Sequence, residues 1–264
     1  MLNFQKQPLE CNFSLTIADE GMLGYLKHND QVFFNSLELN KEYFEDLVKL
    51  FDNNPQKFEN ISKIILNLNI DPSVAKEIVE QNSNIKEDFC YEIASQINLL
   101  SNQLTDIIVN FNLDEAMRNK YYRQNLEKLI KSIYKLLNSK RNILLSLKIP
   151  NADNNIFNFA HKFLTNFSFP IKIALEINPH KLSEKSNYLS YINQLRHYIN
   201  LFKITYDVTS GHKLRTKNII PIFEQLQKQH YDNCIALNIV GARNENLPHI
   251  INDVEEVFKE CLKG

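Results

Sequence analysis

Residues 171–178 read IKIALEIN. Ile171, Ile173, Leu175 and Ile177 are apolar, and Lys172, Ala174, Glu176 and Asn178 fall between them. Alternation with a period of two marks a strand with two unlike faces. The apolar face calls for a packed helix. The other face carries an acid and an amide near its C-terminal end.

Seven further stretches share this design: 12–18, 33–39, 64–70, 107–113, 142–150, 202–209 and 234–240. Helical signals separate them. Asp19 precedes a short helix to His28, and Asn40 is placed to cap a helix over 41–52, where Phe44, Leu47, Val48 and Phe51 recur at helical spacing. Asp71-Pro72 opens another helix, and a second runs over 87–103. Helices are also predicted over 114–138, 154–165, 217–230 and 247–262, and one capped by Ser183 extends to Asn200. Eight strands alternating with helices imply a parallel sheet, which closes most simply into a (β/α)8 TIM barrel. An open doubly wound sheet would need central strands apolar on both faces. Here one face of nearly every strand is polar or small. The chain of 264 residues suits a single barrel domain spanning 1–264.

Composition narrows the function classes. The formal net charge of -1 gives no global field for nucleic acid or an anionic membrane. No apolar run reaches the ~18 residues of a membrane span, and MLNFQKQPLE lacks a secretory h-region. Cys11, Cys90, Cys234 and Cys261 form no C-x-x-C pair, which fits reduced thiols in a cytoplasmic protein. With 5 glycines the chain writes neither G-x-G-x-x-G nor a Walker A loop.

Catalytic residues of a barrel lie at the C-terminal ends of its strands. The last inward residues there are Thr16, Glu38, Asn67 with Asn69, Asn110 with Asn112, Lys148, Glu176, Asp207 and Asn238. Acids and amides at such places need partners, water or a ligand. Glu38, Glu176 and Asp207 are the candidate bases, expected to converge on one cavity with Asn110. Lys148 would steady a developing oxyanion. Each also has a structural reading: Glu176 pairs with Lys148 on the adjacent strand, and Asp207 caps the next loop through Thr209 and Ser210. His180 and His212 lie in the loops after strands six and seven; Arg215 and Arg243 lie in the loops after strands seven and eight, where barrels often hold phosphate.

Residues 218–239, NIIPIFEQLQKQHYDNCIALNI, resemble the closing helix-strand unit of the xylose isomerase-like TIM barrels, the sugar-phosphate isomerase and epimerase superfamily. SLELN at Ser36 is similar to that family's second strand and ILLSLKIP to its fifth. The resemblance implies proton-transfer chemistry on a small polar carbohydrate or hydroxy acid. It also implies a divalent metal such as Mn or Zn, held by carboxylates and histidine. Here Lys148 stands where the family has its fifth-strand glutamate, and Asn238 where it has its last. Glu176 and His180 match the sixth-strand ligands, and Asp207 and His212 lie near the seventh-strand histidine. The expectation is therefore no cofactor, with Lys148 in place of the ion. Two alternatives stand beside this reading. One is a Schiff-base lyase or aldolase using Lys148 or Lys172. The other is a degenerate barrel that binds a ligand or a protein.

Overall fold

In a computed structural model the protein is described over residues 12–28, 34–70, 88, 91–92, 95, 104–111, 113–136, 142–149, 154–169, 171–179, 188–211, 213–243 and 245–263. Within these, the side chains of Asn69, Asn110 and Lys148 fall outside the description, and so do Asn112, His180 and His212 entirely.

Eight strands form the sheet: β1 (Asn12–Ile17), β2 (Ser36–Asn40), β3 (Lys63–Ile70), β4 (Leu104–Phe111), β5 (Asn142–Ile149), β6 (Ile171–Ile177), β7 (Ile199–Asp207) and β8 (Cys234–Val240). All neighbours pair in parallel in chain order, and β8 returns to β1 to close the barrel. Around it lie α1 (Glu20–His28), α2 (Phe44–Asn53), α3 (Leu113–Arg118), α4 (Lys120–Leu136), α5 (Asn154–Thr165), α6 (Tyr188–Leu195), α7 (Thr216–Lys228) and α8 (Leu247–Lys263). The two helices expected between β3 and β4 lie almost wholly outside the described residues, as does the Ser183 cap.

The alternation in β6 does what its pattern demands. Ile171, Ile173, Leu175 and Ile177 join one continuous apolar layer with the outward residues of the other strands and the inner stripes of the helices. In α7 that stripe is Ile219, Ile222, Phe223 and Leu226, spaced at one face of a helix. A second, separate cluster comprises Ile65, Ile108, Leu144, Ala174, Leu201, Cys234 and Ala236. Ladder register puts these on the opposite face of the sheet from the outer layer, so they are the apolar plug of the barrel interior. The Cys234 thiol is pushed up to about 12 by burial in this plug, which leaves it protonated and chemically quiet.

Several boundaries differ from the sequence reading. Asn40 makes no side-chain cap; it stays in the ladder opposite Asn67, so Lys41–Tyr43 forms a 3-10 turn and α2 starts at Phe44. One long helix after β4 becomes two, because the Asn119 Oδ1 accepts from the amides of Tyr121 and Tyr122, both at 3.1 Å, and starts a new helix. Strand four begins at Leu104 rather than at 107 and β7 at Ile199 rather than at 202. Both shifts coincide with breaks in register, between Ile64 and Ile65 on β3 and between Ile173 and Ala174 on β6. Each break inserts one extra residue, Thr105 in β4 and Asn200 in β7, as a bulge does.

Helix α7 ends in a Schellman motif: the amide of Tyr231 donates to the Leu226 carbonyl at 3.1 Å and that of His230 to the Gln227 carbonyl at 3.0 Å. The motif requires a left-handed residue, normally glycine, and here it is His230 at φ 52°. Left-handed backbone costs a side-chain-bearing residue about 1 kcal/mol. His230→Gly is therefore expected to raise stability by about 1 kcal/mol, read as a higher urea midpoint at unchanged slope. A lower midpoint would show that the imidazole makes contacts that outweigh the strain.

Candidate functional site

The interior of the barrel is polar at both ends and apolar between. Toward the C-terminal ends, Glu38 on β2 is completely buried. Its carboxylate is paired with the ammonium of Lys203, which reaches across from β7 and is itself buried. Thr16 donates to Oε2 of Glu38 at 3.0 Å, and the Asn67 amide donates to Oε1 at 3.2 Å. The two strands flanking β2 and a third, β7, thus satisfy a single carboxylate. Such saturation is what a buried charge requires.

Nearer the solvent, Glu176 on β6 is half-buried, and Thr205 on β7 donates to its Oε1 at 2.9 Å. Asn238 on β8 donates to the Thr205 hydroxyl at 3.3 Å. That chain orients both groups through one hydroxyl. It leaves the Asn238 Oδ1 buried with no hydrogen-bond partner, an acceptor waiting for a donor.

Asp207 closes β7 and is spent on the turn that follows. Its Oδ1 accepts from the amide of Thr209 at 3.1 Å and from the Thr209 hydroxyl, and Ser210 donates to its carbonyl at 2.7 Å. The same Thr209 packs on Gly241, where a Cβ would fall 2.3 Å from its Cγ2 and where φ is 77°. The loops after β7 and β8 are locked together there.

Each of the three carboxylates has hydrogen-bond partners of its own: Thr16, Asn67 and Lys203 at Glu38, Thr205 at Glu176, and Thr209 at Asp207. Glu38 is drawn inward by Lys203, and Asp207 outward by its own turn. Lys148 is the ladder partner of Glu176, and Asn110 that of Asn69. Arg215 and Arg243 are exposed, just before α7 and α8, on the loops after β7 and β8. Lys172 lies at the start of β6, at the opposite end of the barrel from Glu176, and donates to the His197 carbonyl at 2.9 Å. A Schiff base at the mouth cannot use it.

Lys203 was not foreseen from the sequence. It shares the inward face with Thr205 and Asp207, two and four residues on, and only the last residues of each strand were weighed. At the N-terminal end a second buried group was also missed. Asp106 on β4 is fully buried, pairs with Lys63 on β3, and accepts from the Asn200 amide at 3.0 Å.

The described donors at the mouth do not by themselves make a divalent-cation site. Among the described residues no three of His, Cys, Asp and Glu converge. Among the described residues, Glu176 is half-buried at the end of β6, Oδ1 of Asp207 is already occupied by Thr209, and Asn238 offers an uncharged oxygen.

Neither a protein-family model nor a curated protein matches the sequence. Solved structures do. The 3-keto-D-glucoside 4-epimerase of E. coli is similar at a TM-score of 0.61 and 11% identity, over 94% of this chain and 99% of that one. The chain has the fold of the xylose isomerase-like sugar epimerases. A D-psicose 3-epimerase is similar at 0.59 and 12%, over 96% and 97%. A xylose isomerase domain protein from Planctomyces limnophilus gives 0.57 and 10%, over 95% of both chains.

The saturated Glu38 group makes a stability prediction. Lys203→Met leaves a buried carboxylate unpaired and should cost about 3–5 kcal/mol, whereas Glu38→Leu with Lys203→Met should recover most of that loss. Urea titration of the three proteins checks it. A single variant as stable as the wild type would mean that the pair is solvated.

Proposed function

We propose that this chain is a sugar isomerase or epimerase that moves a proton at the mouth of a complete (β/α)8 barrel. The observation that carries the reading is the Glu176–Thr205–Asn238 chain: a half-buried carboxylate steered by a hydroxyl, beside a buried carbonyl oxygen without a donor. A carboxylate so held can take a proton from a carbon next to a carbonyl. The Asn238 oxygen would accept from a substrate hydroxyl and fix which carbon faces Glu176. The substrate class is a small polar carbohydrate or hydroxy acid.

In the reaction the C–H electron pair moves to the carbonyl oxygen as Glu176 takes the proton, giving an enediolate. Lys148, beside Glu176 in the ladder, is the cation proposed to stabilise that oxygen. Return of the carbon-bound proton to the neighbouring carbon, with the hydroxyl proton passing to the former carbonyl oxygen, isomerises the sugar, and return to the other face of the same carbon epimerises it. No electron leaves the substrate, so no redox partner is needed, and with these donors we assign no metal to the step. The protein is read as cytoplasmic, with a small ligand and no nucleic-acid or membrane partner. No helix among the described residues is long and apolar enough to cross a membrane.

Solvent exchange tests the reading. In D2O, a panel of ketoses and aldoses should gain deuterium next to the carbonyl, followed by proton NMR. Glu176→Gln should slow that exchange by about 100-fold or more. The same variant should melt within a few degrees of the wild type, because Glu176 is half-exposed and its loss empties no core. Exchange that ignores Glu176→Gln contradicts the assignment. Tight sugar binding without exchange makes the barrel a binding module.

A further inference from the structure

The N-terminal end of the barrel holds a cavity of about 290 Å³ that the mouth chemistry does not use. It opens where β6, β7 and β8 begin. Lys172, Arg196, His197, Asn200, Gln229 and His230 line it, with Asp232 its one acid. Two fixed cations and two imidazoles face one carboxylate. The wall behind is electrically closed already, since Asn200 is bonded to Asp106 and Asp106 is paired with Lys63. The positive charge of the cavity is therefore not answered from inside the barrel.

Two details point to a ligand. The Gln229 Nε2 is buried and has no hydrogen-bond partner, a donor left unsatisfied at a polar cavity wall. The next residue, His230, holds its imidazole at this cavity from a left-handed backbone position that glycine would fill without strain. The Arg196 side chain is anchored here as well, its Nε donating to the Nε2 of His197 at 3.0 Å. That bond places the proton of a neutral His197 ring on Nδ1 and leaves the terminal guanidinium nitrogens for an acceptor.

We propose that this cavity binds a phosphoryl dianion, either inorganic phosphate or the phosphate of a small monoester. Donors arrive from three directions: Lys172 on β6, Arg196 in the turn before β7, and Gln229 with His230 in the turn before β8. A tetrahedral group with three terminal oxygens meets such a set, and Arg is the side chain whose fork fits it best. The volume is at the small end of ligand pockets, which suits a phosphate with little attached to it.

The test is calorimetric titration in phosphate-free buffer, with inorganic phosphate and glycerol 1-phosphate as titrants at constant ionic strength. It is run on Arg215→Gln/Arg243→Gln protein, so that the loops at the mouth are silent. Saturable binding of either titrant is expected, and the tighter of the two identifies the source. Adding Arg196→Gln should weaken it by about tenfold or more. His230→Gly should weaken it as well while raising the melting temperature, a pair of opposite changes that misfolding does not produce. No saturable binding of either titrant overturns the proposal. So does binding that survives Arg196→Gln unchanged.

Discussion

One buried ion pair organises the upper interior of this barrel. Glu38 and Lys203 come from strands separated by β1 and β8 in the ring, and their contact spans the interior between them. Two charges removed from water are stable there only if every remaining lone pair and proton finds a partner. Thr16 and Asn67 meet that demand at Glu38, which ties β1, β2 and β3 to β7 through one carboxylate. Above the pair, Glu176 accepts from Thr205, whose hydroxyl accepts in turn from Asn238.

The same constraint recurs at the other end. Asp106 takes its charge partner from Lys63 and a hydrogen bond from Asn200. Asn200 is the inserted residue of the β7 bulge, and Asp106 follows directly on the inserted Thr105 of β4. Bulges re-aim side chains, and here two of them bring an amide onto an acid across the barrel. Between the two charged groups lies the apolar plug, which keeps the ends chemically separate. That separation is why the mouth and the basal cavity are distinct places.

The strand pattern was legible because the outward positions are nearly all Ile, Leu or Phe, with Val109 in β4 and Tyr206 in β7 as exceptions, and period two needs only a few residues to declare itself. Strand β8 is found where its pattern put it, and β6 closely so. Depth was not legible. Alternation tells which face Lys203 shares with Thr205 and Asp207, yet nothing in it says that the side chain crosses the barrel to Glu38. Asp106 escaped because the bulge moved the start of β4 upstream, and Asn200 because the preceding helix was read into a strand. The turn role of Asp207 was readable from the Thr and Ser that follow, and the structure shows those bonds. How Lys148 and Glu176 stand beside each other in the ladder was readable as well, since both lie at matching points of neighbouring alternations.

The account of the mouth rests on its donor set. A barrel with the fold of sugar epimerases holds Glu176 at the open end, backed by a hydroxyl and an amide and beside Lys148 in the ladder. Elemental analysis of the purified protein by mass spectrometry probes this most directly, after dialysis against Mn or Zn and removal of the free ion. The account predicts well under one equivalent of either ion per chain, at the same level in Glu176→Gln. One full equivalent that disappears in Glu176→Gln would contradict it.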